Sequence, residues 1–482
     1  MKNKNSSLTK NYIYNLIYQL FTFLPLLIIT PYLSHVLGAQ KIGIYSFTTS
    51  ILSYFVLFGC LGVNLYGQRQ IAATRNNLKK MTNTFYELFF LKTIFILLSS
   101  LVYICFCFSD SVYGVYYKIL IFQLLFNIFD ITWFYQGIED FKTISVQTMI
   151  VKIVLTLSIF LFIKDENSLL IYFIIMVISY CLTQTLLLIH LKENIGKFNI
   201  KEINIFKHFK NTIIIFIPQI AIQIYTVLDK TMIGWILNDM KEVGYYEQAQ
   251  KLIHLCLMVI TSFGTVMVPR ISNLYAKQKQ DELNEKINQS FKVVSFIAFP
   301  MCFGLMAITN CLVPWFFGEQ FISLNKLLPV LSLLFLAIGF NNITGIQYAI
   351  STSHQQKFTV SVIVGALINI VLNLILIPNY GALGASIASV VAETVIFIVQ
   401  IFYFKSIFDF KKIFLSNIKY FYFSIIMAIV VYIVGMIFSS NIFTTVLQIA
   451  IGLVIYFVLL LISKDDFLYQ QLNMIKAKFI KH

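Results

Sequence analysis

From residue 413 to residue 463 the chain reads IFLSNIKYFYFSIIMAIVVYIVGMIF, then SSN, then IFTTVLQIAIGLVIYFVLLLIS. A helix that crosses a bilayer needs about 20 predominantly apolar residues. Both runs meet that length, and only residues 439–441 separate them. Runs of this kind recur from one end of the chain to the other. The composition agrees: the 482 residues are 59% hydrophobic, 16% aromatic and 12% charged, with a mean hydropathy of +0.81. An ordinary soluble protein carries about 25% charged residues, so half the charge needed for a water-facing surface is missing and a soluble fold is excluded. Eight prolines and few Gly/Ser clusters leave no room for a barrel of many short alternating strands. The chain reads as an all-α integral membrane protein.

Working outward from that hairpin, the apolar runs predict fourteen spans: 12–36, 42–66, 84–108, 113–135, 143–163, 168–190, 211–236, 245–267, 289–313, 325–351, 357–378, 382–404, 413–438 and 442–463. An even number places both termini on one side. About three quarters of the 36 Lys and Arg fall on that side or in its connections, whereas Lys41, Lys164 and Lys241 fall on the other. By the positive-inside rule both termini are cytoplasmic, and the protein is a multi-pass component of the cytoplasmic membrane. The net charge of +15 is thereby a topology signal, and no nucleic-acid partner is expected. The first span is too long for a signal-peptide core, and the next follows within a few residues, so it reads as retained. All seven cysteines lie inside predicted spans as packing residues. No cofactor and no metal site is expected, because the six histidines do not cluster at ligand spacing.

The connections are short, and the longer ones are cytoplasmic and lysine-rich. Such a chain must work within the membrane, which favours a transporter. A shift of half the chain places Gly43-Ile44-Tyr45 on Gly244-Tyr245-Tyr246 and Arg69 on Arg270. Because six spans separate the two copies, the repeat would be parallel. The expected lobes are residues 1–205 and 206–408, each of six helices, with 409–482 carrying two appended helices and a cytoplasmic tail.

Three segments give the chain a family likeness. Phe129-Asp130-Ile131-Thr132-Trp133-Phe134-Tyr135-Gln136-Gly137-Ile138-Glu139-Asp140-Phe141-Lys142 resembles the turn between spans 4 and 5 of Wzx-type polysaccharide flippases. Pro31-Tyr32-Leu33, Leu37-Gly38 and Gly43-Ile44-Tyr45 resemble that family's first hairpin. Asn369, Asn373-Leu374, the run Pro378-Asn379-Tyr380-Gly381-Ala382-Leu383-Gly384-Ala385-Ser386 and Glu393 resemble its span 11–12 hairpin. The resemblance covers essentially the whole chain. It implies membership of the multidrug/oligosaccharidyl-lipid/polysaccharide exporter superfamily, with two six-helix lobes that rock in alternating access. It also implies a flippase that carries undecaprenyl-diphosphate-linked sugar units to the outer leaflet for a surface polysaccharide such as capsule or O-antigen. The implied partners are the lipid-linked sugar, membrane lipids, and polysaccharide polymerase and chain-length machinery.

Moving a diphosphate through hydrocarbon calls for cations inside the protein, since a buried charge is costly unless paired. Asp229 and Lys251 stand equally far from the turn near Met240, about 16 Å along antiparallel helices at 1.5 Å per residue. Lys92 and Asp130 stand equally far from Ser111. Both sets read as interhelical ion pairs, whether structural or substrate-facing. The resemblance implies a cavity lined by spans 1, 2, 7 and 8, which makes Lys230 and Lys251 the first diphosphate candidates; the competing reading is snorkelling to the interface. Lys152 lies too deep in span 5 for comfortable snorkelling, so it faces a cavity or a buried partner. Arg69 and Arg270 at the cytoplasmic span ends offer bidentate capture, or else lipid headgroup contact. Glu393, with no evident partner at its level, is the first candidate for ion coupling, followed by Asp229 and Asp130. Pro25 and Pro218 are candidate breaks in the opening helix of each lobe, allowing it to bend, or else static kinks.

Two rivals remain. A cation-coupled multidrug antiporter of the same superfamily would favour acidic residues in the cavity, yet the buried balance leans toward lysine. A membrane-embedded glycan polymerase would show a large external loop, which is missing. An acyltransferase would need an embedded catalytic histidine, for which His254 is the sole candidate. The expectation is a non-enzymatic flippase.

Overall fold

The computed structural model describes residues 8–109, 112–196 and 203–469. Ser111 and the terminal Lys2, Lys4, Lys476, Lys478 and Lys481 lie outside them, and of Lys10 the backbone alone is described. Among the described residues there is helix and no strand. In hydrocarbon every backbone N–H and C=O must find its partner within the chain, and the helix does this locally.

The chain divides into two compact units, Met1–Gly244 and Tyr245–His482. The first holds α1 (Leu8–Cys60), α2 (Val63–Thr74), α3 (Leu78–Ser109), α4 (Gly114–Phe126), α5 (Thr132–Gly137), α6 (Phe141–Phe162), α7 (Leu169–Leu191) and α8 (Phe209–Leu237). The boundary falls near the start of α9 (Met240–Ala276). The second unit continues with α10 (Gln280–Phe316), α11 (Leu324–Ser332), α12 (Leu334–Asn341), α13 (Gln355–Phe404), α14 (Phe410–Ile437) and α15 (Ile442–Ile462). Eleven helical stretches among the described residues are long and apolar enough to cross a membrane. Two of them carry a pair of predicted spans each, because α1 is interrupted at Gly38 (φ 69°, ψ 175°) and α13 at Gly381 (φ 56°, ψ −133°). Only glycine takes these backbone angles without strain. The prolines expected to break helices do not: the backbone stays helical through positions 25 and 218.

The outer faces carry the signature of a lipid solvent. Leu97, Leu98, Leu101 and Val102 on α3 are exposed, as are Val154, Leu157 and Leu161 on α6 and Ile449, Leu453 and Val454 on α15. Stripes of this size on a water-soluble monomer would be aggregation sites; facing acyl chains, they cost nothing. Four of the cysteines (Cys60, Cys107, Cys302, Cys311) are buried packing groups, but Cys105 faces outward.

In the first unit Trp133 of α5 stacks on Phe85 of α3 with centroids 5.5 Å apart, within a core that includes Tyr66, Leu88 and Leu187. Near the end of the unit two glycines bring backbones together. A Cβ on Gly43 would collide with the carbonyl of Met240, and one on Gly244 with the carbonyl of Ala39. Ala39 and Met240 each precede their glycine by one helical turn, so the two close approaches are reciprocal. In the second unit α14 and α15 pack against α10: Tyr456 donates to the carbonyl of Phe296 (2.9 Å) and Trp315 to Thr445 (2.8 Å). The turn after α15 is held by Asp465, which is fully buried, pairs with Lys419, and accepts from Tyr420 (3.1 Å) and the Leu468 N–H (2.8 Å). Burial pushes its carboxyl up. The Lys419 ammonium and the other donors outweigh that and hold it below the ordinary carboxylate range.

Two measurements check these contacts. Gly43→Ala should lower stability by about 1–3 kcal/mol or more through overpacking, read from thermal unfolding in detergent. Gly304→Ala, where a Cβ would meet only ordinary contact with Met427, should be near neutral. For Asp465 the folded-state carboxyl lies below its unfolded value, so its stabilisation is present above the unfolded pKa (about 3.9) and is lost as pH falls through the folded one. Asp465→Asn should therefore lower Tm at neutral pH, and the gap to the wild type should narrow on acidification below about pH 4.

Candidate functional site

The predicted fourth span is not one helix. After α4 the chain tightens into a 3-10 turn at Asn127–Phe129, and Asp130 is extended (φ −71°, ψ 97°) before α5 begins. A break at this depth frees backbone groups that lipid cannot satisfy. Lys92 from α3 fills the gap. Its ammonium donates to the main-chain oxygen of Asp130 (2.9 Å) and to Asn64 Oδ1 (3.4 Å), and lies 3.8 Å from Asp130 Oδ2. Lys92 is 0% exposed. Asp130 also caps the restart of the helix, accepting from the Thr132 N–H at 3.1 Å. The predicted partners thus meet, and the lysine gives one donor to the main chain of the break and another to Asn64 on α2.

In the same unit α8 faces the second arm of α1 with polar groups. Thr231 is fully buried and lies 3.0 Å from both Ser50 Oγ and Tyr54 Oη. Asp229 beside it is buried and Lys230 half-buried. Lys152 on α6 is also half-buried and makes no ion pair among the described residues. Arg69 is exposed on α2 and lines a cavity of about 500 Å³ with Gln68, Gln136, Gly137, Glu139 and Phe141. Arg75 and Glu139 form an ion pair at 2.7 Å.

In the second unit Lys251 pairs with Glu247 one turn back on α9, at 3.2 Å. Arg270, on the same helix, is exposed. Glu393 on α13 is buried and does have a partner, which corrects the sequence expectation: the Asn341 amide donates to its carboxylate and, at 2.9 Å, to its main-chain oxygen. Asn341 ends α12, where the helix widens into a π-helical stretch, Asn342–Ile350. Such widening recurs at functional sites. Beside it Thr344 donates to Gln400, whose amide donates to Ser361 at 3.0 Å. Tyr246, Gln250 and Ser389 form a further polar chain at 2.8–3.0 Å.

Each unit therefore carries charges and amides in its interior, paired across helices. The family described as polysaccharide biosynthesis protein matches residues 8–275, more than half of the chain. The chain belongs to that family. A second family, MatE, matches residues 215–376. A candidate O-antigen transporter of Escherichia coli (strain K12) is 22% identical over 401 residues, which cover 82% of this chain and 96% of that protein. Lipid II flippase MurJ of Bacillus subtilis (strain 168) is 30% identical over 144 residues, 29% of this chain and 26% of that one. Among solved structures, lipid II flippase MurJ in an inward closed conformation superposes with a TM-score of 0.72 at 19% identity, covering 94% of this chain and all of the other. An inward-facing multidrug resistance transporter of the MATE family gives 0.66 at 13% identity, over 81% of this chain and 95% of that one. The fold is the one these transporters share.

Within this polysaccharide biosynthesis family member, three groups escaped the sequence reading. Glu247 is invisible as a partner until one asks which carboxylate lies a turn from Lys251, a spacing of four that helix geometry makes neighbours. Asn341 is distant in sequence from Glu393 and carries no charge. Glu87 and His208 were passed over because neither lies at metal-ligand spacing, yet they touch at 2.9 Å.

Cutting the Lys92 brace tests whether it holds the broken helix. Lys92→Met should cost about 3–5 kcal/mol, the usual result of leaving a buried charge alone. Combining it with Asp130→Asn should cost less than the sum by about 1–3 kcal/mol. Unfolding by denaturant in detergent measures both; simple additivity would show the two side chains to be independent.

Proposed function

We propose that this protein is a flippase that moves undecaprenyl-diphosphate-linked oligosaccharide units from the inner to the outer leaflet of the cytoplasmic membrane for surface polysaccharide synthesis. The observation that carries this reading is the likeness to the candidate O-antigen transporter along 96% of that protein. The buried charges support it, because a diphosphate needs cations where a neutral solute would not. In this reading Lys230, Lys251 and Lys152 meet the diphosphate, and Arg69 and Arg270 receive it at the cytoplasmic ends. The pairing of Lys251 with Glu247 then gives the lysine a partner to exchange for phosphate. Glu393 and Asp229 are the groups for a coupling ion, and Lys92–Asp130 is a brace.

The lobes 1–205 and 206–408 rock about the substrate while its tail stays in lipid beside the helices of 409–482. Both termini are cytoplasmic, and a polymerase with chain-length machinery takes the product. No covalent step is required, so the protein is not an enzyme. A negative interior favours outward movement of a negative headgroup by about 2.3 kcal/mol per charge per 100 mV. The MatE match over residues 215–376 favours a second reading, a cation-coupled drug antiporter, in which Asp229 and Glu393 bind the exchanged cation.

Replacing both Lys230 and Lys251 by Ala should abolish surface glycan while leaving protein in the membrane, as measured by glycan staining and immunoblot in the native host. Unchanged export would sink the assignment of those lysines. Depletion of the protein should trap lipid-linked sugar on the cytoplasmic leaflet; build-up on the outer leaflet would overturn the flippase reading.

A further inference from the structure

Glu87 of α3, His208 of the 3-10 turn Ile205–His208 and Tyr66 of α2 form a chain that the transport reading leaves unused. They are 3%, 5% and 6% exposed. His208 Nε2 lies 2.9 Å from Glu87 Oε2, and its Nδ1 lies 2.9 Å from Tyr66 Oη. The other carboxylate oxygen of Glu87 accepts from the Asn204 N–H at 3.1 Å. From α8, the Asn211 amide donates to Tyr66 Oη at 3.4 Å. Lys207 stands 3.7 Å from Glu87 Oε2 and is more than half exposed. Among the described residues of these elements, Lys92 turns to Asp130, Arg69 lines its own cavity, and Lys79, Lys80 and Lys210 are exposed.

An imidazole between a carboxylate and a phenol has two complete sets of hydrogen bonds. When neutral, Nε2–H donates to Glu87 and Nδ1 accepts the Tyr66 hydroxyl proton. When protonated, both ring N–H groups donate, and the tyrosine oxygen becomes an acceptor. A proton can therefore arrive without leaving a ring nitrogen bare, which is uncommon for a buried histidine. What changes is charge. The Glu87–His208 hydrogen bond, already made to a carboxylate, becomes an ion pair. Glu87 grips the segment before α8 at two points, the Asn204 amide and the His208 ring, so the charge state sets how firmly that segment is held.

We propose that Glu87, His208 and Tyr66 are a proton-binding site, and that the bound proton fastens the segment 204–209, and with it the start of α8, to α3. On the face that the lysine distribution assigns to the cytoplasm, the site samples cytoplasmic pH. Its consequence for transport rests on the flippase reading: α8 carries Asp229 and Lys230, so releasing its start frees the helix that meets the diphosphate.

The test uses the full chain in nanodiscs of phosphatidylethanolamine and phosphatidylglycerol. Hydrogen exchange at Asn204, corrected for the intrinsic rate, is followed from about pH 6 to about pH 8.5. Protection should be about tenfold greater at the acid end. His208→Gln still donates to Glu87 but gains no proton, so its protection should not change with pH. Glu87→Gln keeps the shape without the charge and should behave alike; Tyr66→Phe should keep the pH dependence with a moved midpoint. Flat protection in the wild type, or wild-type behaviour in both glutamine variants, would overturn the site. Flux of an undecaprenyl-diphosphate-linked monosaccharide in proteoliposomes then tests the consequence: it should rise severalfold with inside pH in the wild type and stay level in His208→Gln. A wild type that moves no lipid-linked sugar refutes the flippase reading and leaves the exchange result standing. Equal pH dependence in both proteins refutes the link from this site to transport.

Discussion

A hydrocarbon interior offers no water to a backbone N–H or C=O, and the described structure follows from that constraint. Long helices meet it everywhere except where the path must change. At Gly38 and Gly381 the change needs only a residue without a Cβ. At Asp130 it needs a donor brought from another helix, and Lys92 is that donor. The break, the buried cation and the cap at Thr132 are one arrangement, because removing any of them leaves a polar group in oil. The widening at Asn342–Ile350 sits beside a comparable set of amides in the second unit.

The interior charges obey the same logic. Lys92, Lys251, Glu87 and Asp465 each have an opposite charge within their own unit, Lys207 being that of Glu87. Glu393 is satisfied by an amide instead. Removing one partner of such a buried pair leaves the other charge uncompensated, which is strongly destabilising. Their settings differ: Lys92 ties an opposite charge to the main chain of a broken helix, whereas Lys251 is paired within one continuous helix.

Much of the fold was legible because hydrophobic length is a local quantity. The spans at 413–438 and 442–463 return as α14 and α15 within a few residues, and Gly38 and Gly381 fall in short connections that the spans leave between them. The equal depths of Lys92 and Asp130 were also legible, since helical rise turns a count of residues into a distance. The break at Asp130 was not: the residues of 113–135 are apolar enough for one helix, and only Lys92 shows that the helix stops. Pro25 and Pro218 misled for the opposite reason, as a helix can carry a proline when its neighbours satisfy the freed carbonyl.

The sequence by itself determined that the chain is a many-helix membrane protein and which polar residues fall within its apolar runs. These follow from composition and spacing along one helix at a time. Tertiary structure decided the partners. Asn341 finds Glu393 across 52 residues and His208 finds Glu87 across 121, and no periodicity along a single helix encodes such pairs. They form because a buried polar atom must be satisfied, and the packing of other helices decides which atom is within reach.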